Sequence, residues 1–194
     1  MAELIHPQYF LKHVLLAAAQ QFAKNKSIQL HQFLLPETYK KAALPLQRAA
    51  LREHYLPDQY HCHELKTIPM VVKQLQRWLK SKEAATLVST LVQKKVSFKE
   101  SCLCVYVHKD YTLLHDKNKE PPGYDVIIDL TTHWDQRACG HHSYVRNGQE
   151  LVRVSPDPNT LAIVHRPAPV MKFVKYVNYH AGKDRRIALE ARFA

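Results

Sequence analysis

The residues most able to do chemistry in this 194-residue chain are its histidines, its cysteines and a few clustered acids and bases. His61-Cys62-His63 puts two imidazoles at alternate positions, where an extended chain would aim both the same way. A zinc site needs a third and fourth ligand, and no close pair at ligand spacing accompanies them. His141 and His142 are adjacent, so on a strand they face opposite ways and do not share an ion. Cys102-x-Cys104 stands alone in an apolar run, and with Cys62 and Cys139 is expected to be a set of reduced core thiols. Tyr106-Val107-His108-Lys109-Asp110-Tyr111-Thr112-Leu113-Leu114-His115-Asp116-Lys117 is the densest run of tyrosine, histidine, acid and base.

These residues must be held by elements, and the two halves of the chain differ in pattern. From Pro7 to about Ala23, Phe10, Leu11, Val14, Leu15, Ala18 and Phe22 recur at three- and four-residue spacing, the stripe of an amphipathic helix. A second helix is expected from Pro36-Glu37, ended or kinked by Pro45, and a third region over Val71 to Val92, as one helix or two. Tyr60-His61-Cys62-His63 falls in a polar stretch between them. From about Ser97 short apolar runs are separated by Pro, Gly, Asn and Asp, the pattern of strands. Seven are expected: Cys102–Val107, Tyr124–Thr131, Ser143–Arg146, Gln149–Val154, Thr160–His165, Val170–Asn178 and Arg186–Phe193, with a two-residue hairpin turn at Asn147-Gly148. The sum is an α+β single domain, 1–96 a helical lead-in and 97–194 a β-sandwich or barrel that it buttresses.

Lysine and arginine number 28 against 17 acids, a formal charge of +11, which favours an acidic partner: an acidic protein, a ribonucleoprotein or an anionic small molecule. No apolar run is long enough to span a bilayer, and Met1-Ala2-Glu3-Leu4-Ile5-His6 offers neither basic region nor cleavage site, so an intracellular, cytoplasmic location without membrane contact is expected.

The run from Tyr106 resembles the second-strand motif Tyr-x-x-Gly-Asp-x-Leu-x-x-His-x-Asp of the prolyl 4-hydroxylase-like branch of the 2-oxoglutarate/Fe(II)-dependent oxygenases, the branch of the ribosomal prolyl hydroxylases. Tyr106, Asp110 and His115 match; Lys117 stands at the iron-binding aspartate. Tyr124–Trp134, Cys139-Gly140, the Pro156–Val164 segment and Arg186–Phe193 resemble later motifs of the same branch. The family's distal histidine falls on Lys172, within Val170-Met171-Lys172-Phe173-Val174, and its carboxylate-gripping arginine on Arg186.

The resemblance implies a double-stranded β-helix, or jelly roll, with N-terminal buttressing helices. It also implies a degenerate metal site. Lysines at two of three ligand positions leave His115 as a remnant, so neither Fe(II) nor 2-oxoglutarate is expected as a cofactor. Tyr106, His115, Lys117, Lys172 and Arg186 are then a candidate pocket for an anion or a 2-oxoglutarate-like ligand. The expected function is a pseudoenzyme that binds or scaffolds, with a ribosomal partner suggested by the branch. Two alternatives stand: a working prolyl hydroxylase-like dioxygenase whose ligands are rearranged to His115 with Asp116 or His133 and His165 or His180, and a basic nucleic-acid-binding module around Lys172-Phe173-Val174-Lys175-Tyr176.

Overall fold

The computed structural model describes residues 4–114 and 121–194. A 3₁₀ turn at Pro7–Phe10 leads into α1 (Lys12–Asn25), which ends where Lys26 adopts a left-handed conformation. That turn breaks the helical register, so Phe10 and Leu11 are exposed while Ala18 and Phe22 are buried. The helix α2 (Pro36–Leu46) starts on a proline with Glu37 in its first turn and carries Pro45 near its end. The third region is two helices, α3 (Met70–Leu79) and α4 (Lys82–Val92). Ser81 caps the second by accepting from the Ala84 N–H at 3.2 Å.

The lead-in is not purely helical. It contributes β1 (Ser27–Leu30) and the hairpin β2 (Leu51–Leu56) and β3 (Tyr60–Leu65), so the histidine-rich stretch is a strand. These segments have too few apolar positions to show a period of their own; they are strands because neighbouring strands supply their hydrogen bonds. The remaining strands are β4 (Phe98–Tyr106), β5 (Tyr111–Thr112), β6 (Gly123–Asp129), β7 (His142–Arg146), β8 (Gln149–Val154), β9 (Leu161–Arg166), β10 (Met171–Val174) and β11 (Arg186–Phe193). Asn147 and Gly148 both take positive φ between β7 and β8, as a tight hairpin requires.

The larger sheet runs β1-β9-β6-β11-β4-β3-β2 with β5 paired to β3, and the smaller runs β10-β7-β8. All the pairings are antiparallel. The Val174 N–H donates to Thr112 Oγ1 at 2.7 Å, which brings β10 beside β5. Two sheets joined in this order make the double-stranded β-helix expected from the resemblance. One face of the larger sheet carries Val105, Val126, Ile128, Ile163, Ile187 and Leu189 and packs on Leu75, Trp78, Leu87 and Leu91 of α3 and α4. Its other face looks toward the smaller sheet. There Ile127, Ala162, Val164 and Ala188 meet Tyr144, Val154 and Val170. No helix among the described residues is long and apolar enough to cross a membrane.

Candidate binding site inside the double-stranded helix

Between the two sheets lies a layer of paired charges. Strand alternation puts Arg186, Ala188 and Glu190 of β11 on the inner face, opposite Tyr106, Cys104 and Cys102 of β4. On the smaller sheet Lys172 of β10 lies across from Tyr144, and Val174 from His142. The Lys172 Nζ donates to Glu190 Oε2 at 3.0 Å, with Asp125 Oδ2 at 3.9 Å. His142 Nε2 lies 2.8 Å from Glu190 Oε1, and its Nδ1 lies 2.6 Å from Arg186 Nη2. Arg186 Nη1 donates to the carbonyl of Gly140. Tyr106 meets the His142 ring edge-on at 6.4 Å. Deeper along the same face, Asp125 accepts from the Arg166 Nε at 2.9 Å and Nη2 at 3.2 Å.

These contacts fix the protonation of His142. A guanidinium can only donate, so Nδ1 must present its lone pair to Arg186, and Nε2 then carries the proton given to Glu190. The ring is neutral: burial drives its pKa down to about 4, Glu190 pulling the other way and Arg186 adding to the drop. Glu190 is held well below the usual carboxylate range, because Lys172 and His142 outweigh the burial that opposes its charge. Burial raises the Tyr106 and Tyr144 hydroxyls far above their ordinary values. Gly140 is required where it stands. Its φ is +66°, and an added Cβ would come within 2.9 Å of the Trp134 ring.

Tyr106, Lys172 and Arg186, three of the five expected pocket residues, are brought together here, while His115 and Lys117 lie outside the described residues. Sequence reasoning missed His142 and Glu190, which link them. The one available signal was the lone acid of β11, four residues after Arg186 and therefore on its face. Among the polar atoms of the network, Arg186 Nε is buried with no hydrogen-bond partner.

The cysteines and other histidines meet expectation in part. All four thiols are free, as expected, but none is fully buried in a core: Cys102 is exposed and Cys62, Cys104 and Cys139 are partly covered, Cys62 and Cys104 at the margin of the cluster of Tyr106, Trp134 and Val174. Burial pushes Cys62 up to about 11. His61 and His63 do face the same way, and both grip the buried Asp110, at 3.1 and 2.8 Å. His165 stacks on Tyr124 on the helix-facing side of β9, the opposite face from Lys172, and exposed His133 pairs with Asp184 at 2.7 Å.

The same residues decide whether iron fits. A facial iron centre needs two imidazoles and a carboxylate with open positions beside them. Lys172, on which the sequence resemblance places the second imidazole, has an ammonium without a lone pair that already donates to Glu190. His142 has both ring nitrogens engaged. The described residues do not fit the group.

Comparison with known proteins agrees with this architecture. The model of the family described as oxoglutarate and iron-dependent oxygenase degradation C-term matches residues 52–193. Prolyl 3-hydroxylase OGFOD1 of Mus musculus is 34% identical over 74 residues, and that of Xenopus laevis 33% over 79; each match takes in 37% of this chain but only 14% and 15% of those relatives. A Pseudomonas putida prolyl-4-hydroxylase shares the fold with a TM-score of 0.63 at 14% identity, over 92% of this chain and 97% of its own. A Trichoplax adhaerens prolyl hydroxylase, solved with a hypoxia inducible factor peptide fragment, gives 0.62 at 14% identity over 93% and 89%. Because that family model spans residues 52–193, well over half of the chain, and the fold is shared with prolyl hydroxylases, the chain belongs to the oxoglutarate and iron-dependent oxygenase degradation C-terminal family.

Proposed function

We propose that this chain is a catalytically inactive member of its family and acts by binding, as a scaffold for an acidic or ribonucleoprotein partner. The observation that carries the reading is the Lys172–Glu190 ion pair at 3.0 Å, in the register where the resembling enzymes place a metal-binding histidine. A fixed ammonium there supplies the positive charge that a metal would otherwise bring, and Glu190 and Asp125 balance it. Glu190, His142 and Arg186 hold one another in a chain, which suits a rigid support better than a site that must admit a co-substrate and oxygen.

The outer surface supports an acidic partner. Among the described residues Asp110, Asp125, Asp129 and Glu190 are buried, against two bases, Arg166 and Arg186. The solvent-facing excess of base is therefore larger than the net charge alone suggests. A ribosomal partner would fit that charge and the branch the chain resembles.

Purified protein supplied with Fe(II), ascorbate and 2-oxoglutarate should release no succinate above a protein-free control, alone or with candidate peptides. Succinate formation lost on removing iron would contradict the reading. Ribosomes or structured RNA should bind with an affinity falling steeply as salt rises; binding indifferent to salt would contradict the electrostatic part.

A further inference from the structure

Cys102 and Cys104 are two residues apart on β4, so their side chains share the inner face, and their sulfurs lean together to 3.4 Å. Glu190 lies directly across from Cys102 in the β4–β11 register. Each residue offers one donor atom, and the three atoms lie within 4.8 Å of one another, the only such group of histidine, cysteine and acidic side chains among the described residues. A tetrahedral zinc ion with bonds of about 2.3 Å to sulfur and 2.0–2.2 Å to oxygen holds its donors roughly 3.5–3.8 Å apart. The sulfur pair already has nearly that separation, and a rotamer adjustment of about 1 Å closes the carboxylate onto it.

We propose that Cys102, Cys104 and Glu190 form a site for a thiophilic divalent cation of the zinc class, with the fourth position open to water. The donor set selects the ion: two thiolates favour a soft or borderline cation over magnesium, calcium or an oxygen-activating iron. Cys102 is solvent-exposed and gives the ion its way in, with the partly covered Cys104 behind it. Glu190 is held beside the sulfurs by Lys172 and His142, which each take one carboxylate oxygen and leave each a second lone pair for the ion. The Lys172 charge opposes a cation, and the two thiolates formed on binding offset it. This site does not depend on the inactive-enzyme reading, because it uses none of the family's iron-ligand positions.

The test is a titration of the whole chain, kept reduced by a phosphine, with zinc in competition with a chromophoric chelator and with cobalt(II) as a spectroscopic probe. One equivalent of zinc should bind, and cobalt should show an intense near-ultraviolet thiolate-to-metal band. Cys102→Ala, an exposed change whose folding is checked by circular dichroism, should abolish the band and weaken zinc by more than the roughly 10–100-fold typical of losing an outer hydrogen-bond partner. Cys104→Ala should do the same, Glu190→Gln should weaken binding less, and Cys139→Ala should leave it unchanged. Absence of zinc binding in the parent chain, or binding of equal strength in folded Cys102→Ala, overturns the proposal.

Discussion

On β11, Ile187, Leu189, Ala191 and Phe193 turn toward the helices, while Arg186 and Glu190 turn toward the smaller sheet. The strands β4 and β6 repeat this: Val105, Val126 and Ile128 face the helices, and Tyr106, Cys104, Asp125 and Ile127 face inward. One sheet thus has a dry apolar side and a buried side crossed by ion pairs. The apolar side is stabilised by area removed from water, and any residue of similar volume serves. The inner side depends on each partner being present, since a buried charge left alone is costly. The first face tolerates apolar exchange and the second depends on matched partners.

The largest effect expected is from Glu190→Ala, which takes from Lys172 its 3.0 Å carboxylate partner and from His142 Nε2 its acceptor, and should cost about 3–5 kcal/mol by denaturant unfolding. The double change Lys172→Met with Glu190→Leu should cost far less than the sum of the single changes; additive costs would mean the ion pair is not the unit described. Leu75→Ala on the helix side should cost about 3 kcal/mol through an unfilled cavity, with no partner able to rescue it.

Acid should act on the inner face. His142 stays neutral in the fold down to about pH 4, whereas in the unfolded chain it takes a proton near its ordinary 6.5. The unfolded state binds more protons in that window, so stability falls as pH drops from about 6.5 to about 4, on the order of 3 kcal/mol in all. Unfolding midpoints measured across that range should slope accordingly, and His142→Gln should flatten the slope; an unchanged slope would remove His142 from the network. Smallest of all, Arg153→Ala breaks a 2.6 Å pair with Glu150 on the exposed strand β8 and should cost no more than about 0.5 kcal/mol.

The two faces were unequally legible in the sequence. Helices α3 and α4 announce themselves through Val72, Leu75, Leu79, Leu87 and Leu91, and β8 and β11 fall where alternation and the Asn147-Gly148 turn place them. Strands β1, β2 and β3 were hidden, because they are short, polar or edge segments whose structure comes from partners across the sheet. The expected Val170–Asn178 strand shrinks to Met171–Val174, since the Val177 N–H leaves the ladder for the Asp110 carbonyl. Of the site, the positions of Tyr106, Lys172 and Arg186 were legible through family register. The His142–Glu190 link was not: its members stand 48 residues apart, and nothing local marks either as the other's partner.

Anaerobic spectroscopy tests most directly whether, as proposed, the Lys172–Glu190 ion pair stands in place of a metal ligand. Fe(II) and 2-oxoglutarate added together to the chain should produce no metal-to-ligand charge-transfer band, with the Pseudomonas putida prolyl-4-hydroxylase run beside it as the positive control. A saturable band from this chain, abolished by His115→Ala, would contradict the account.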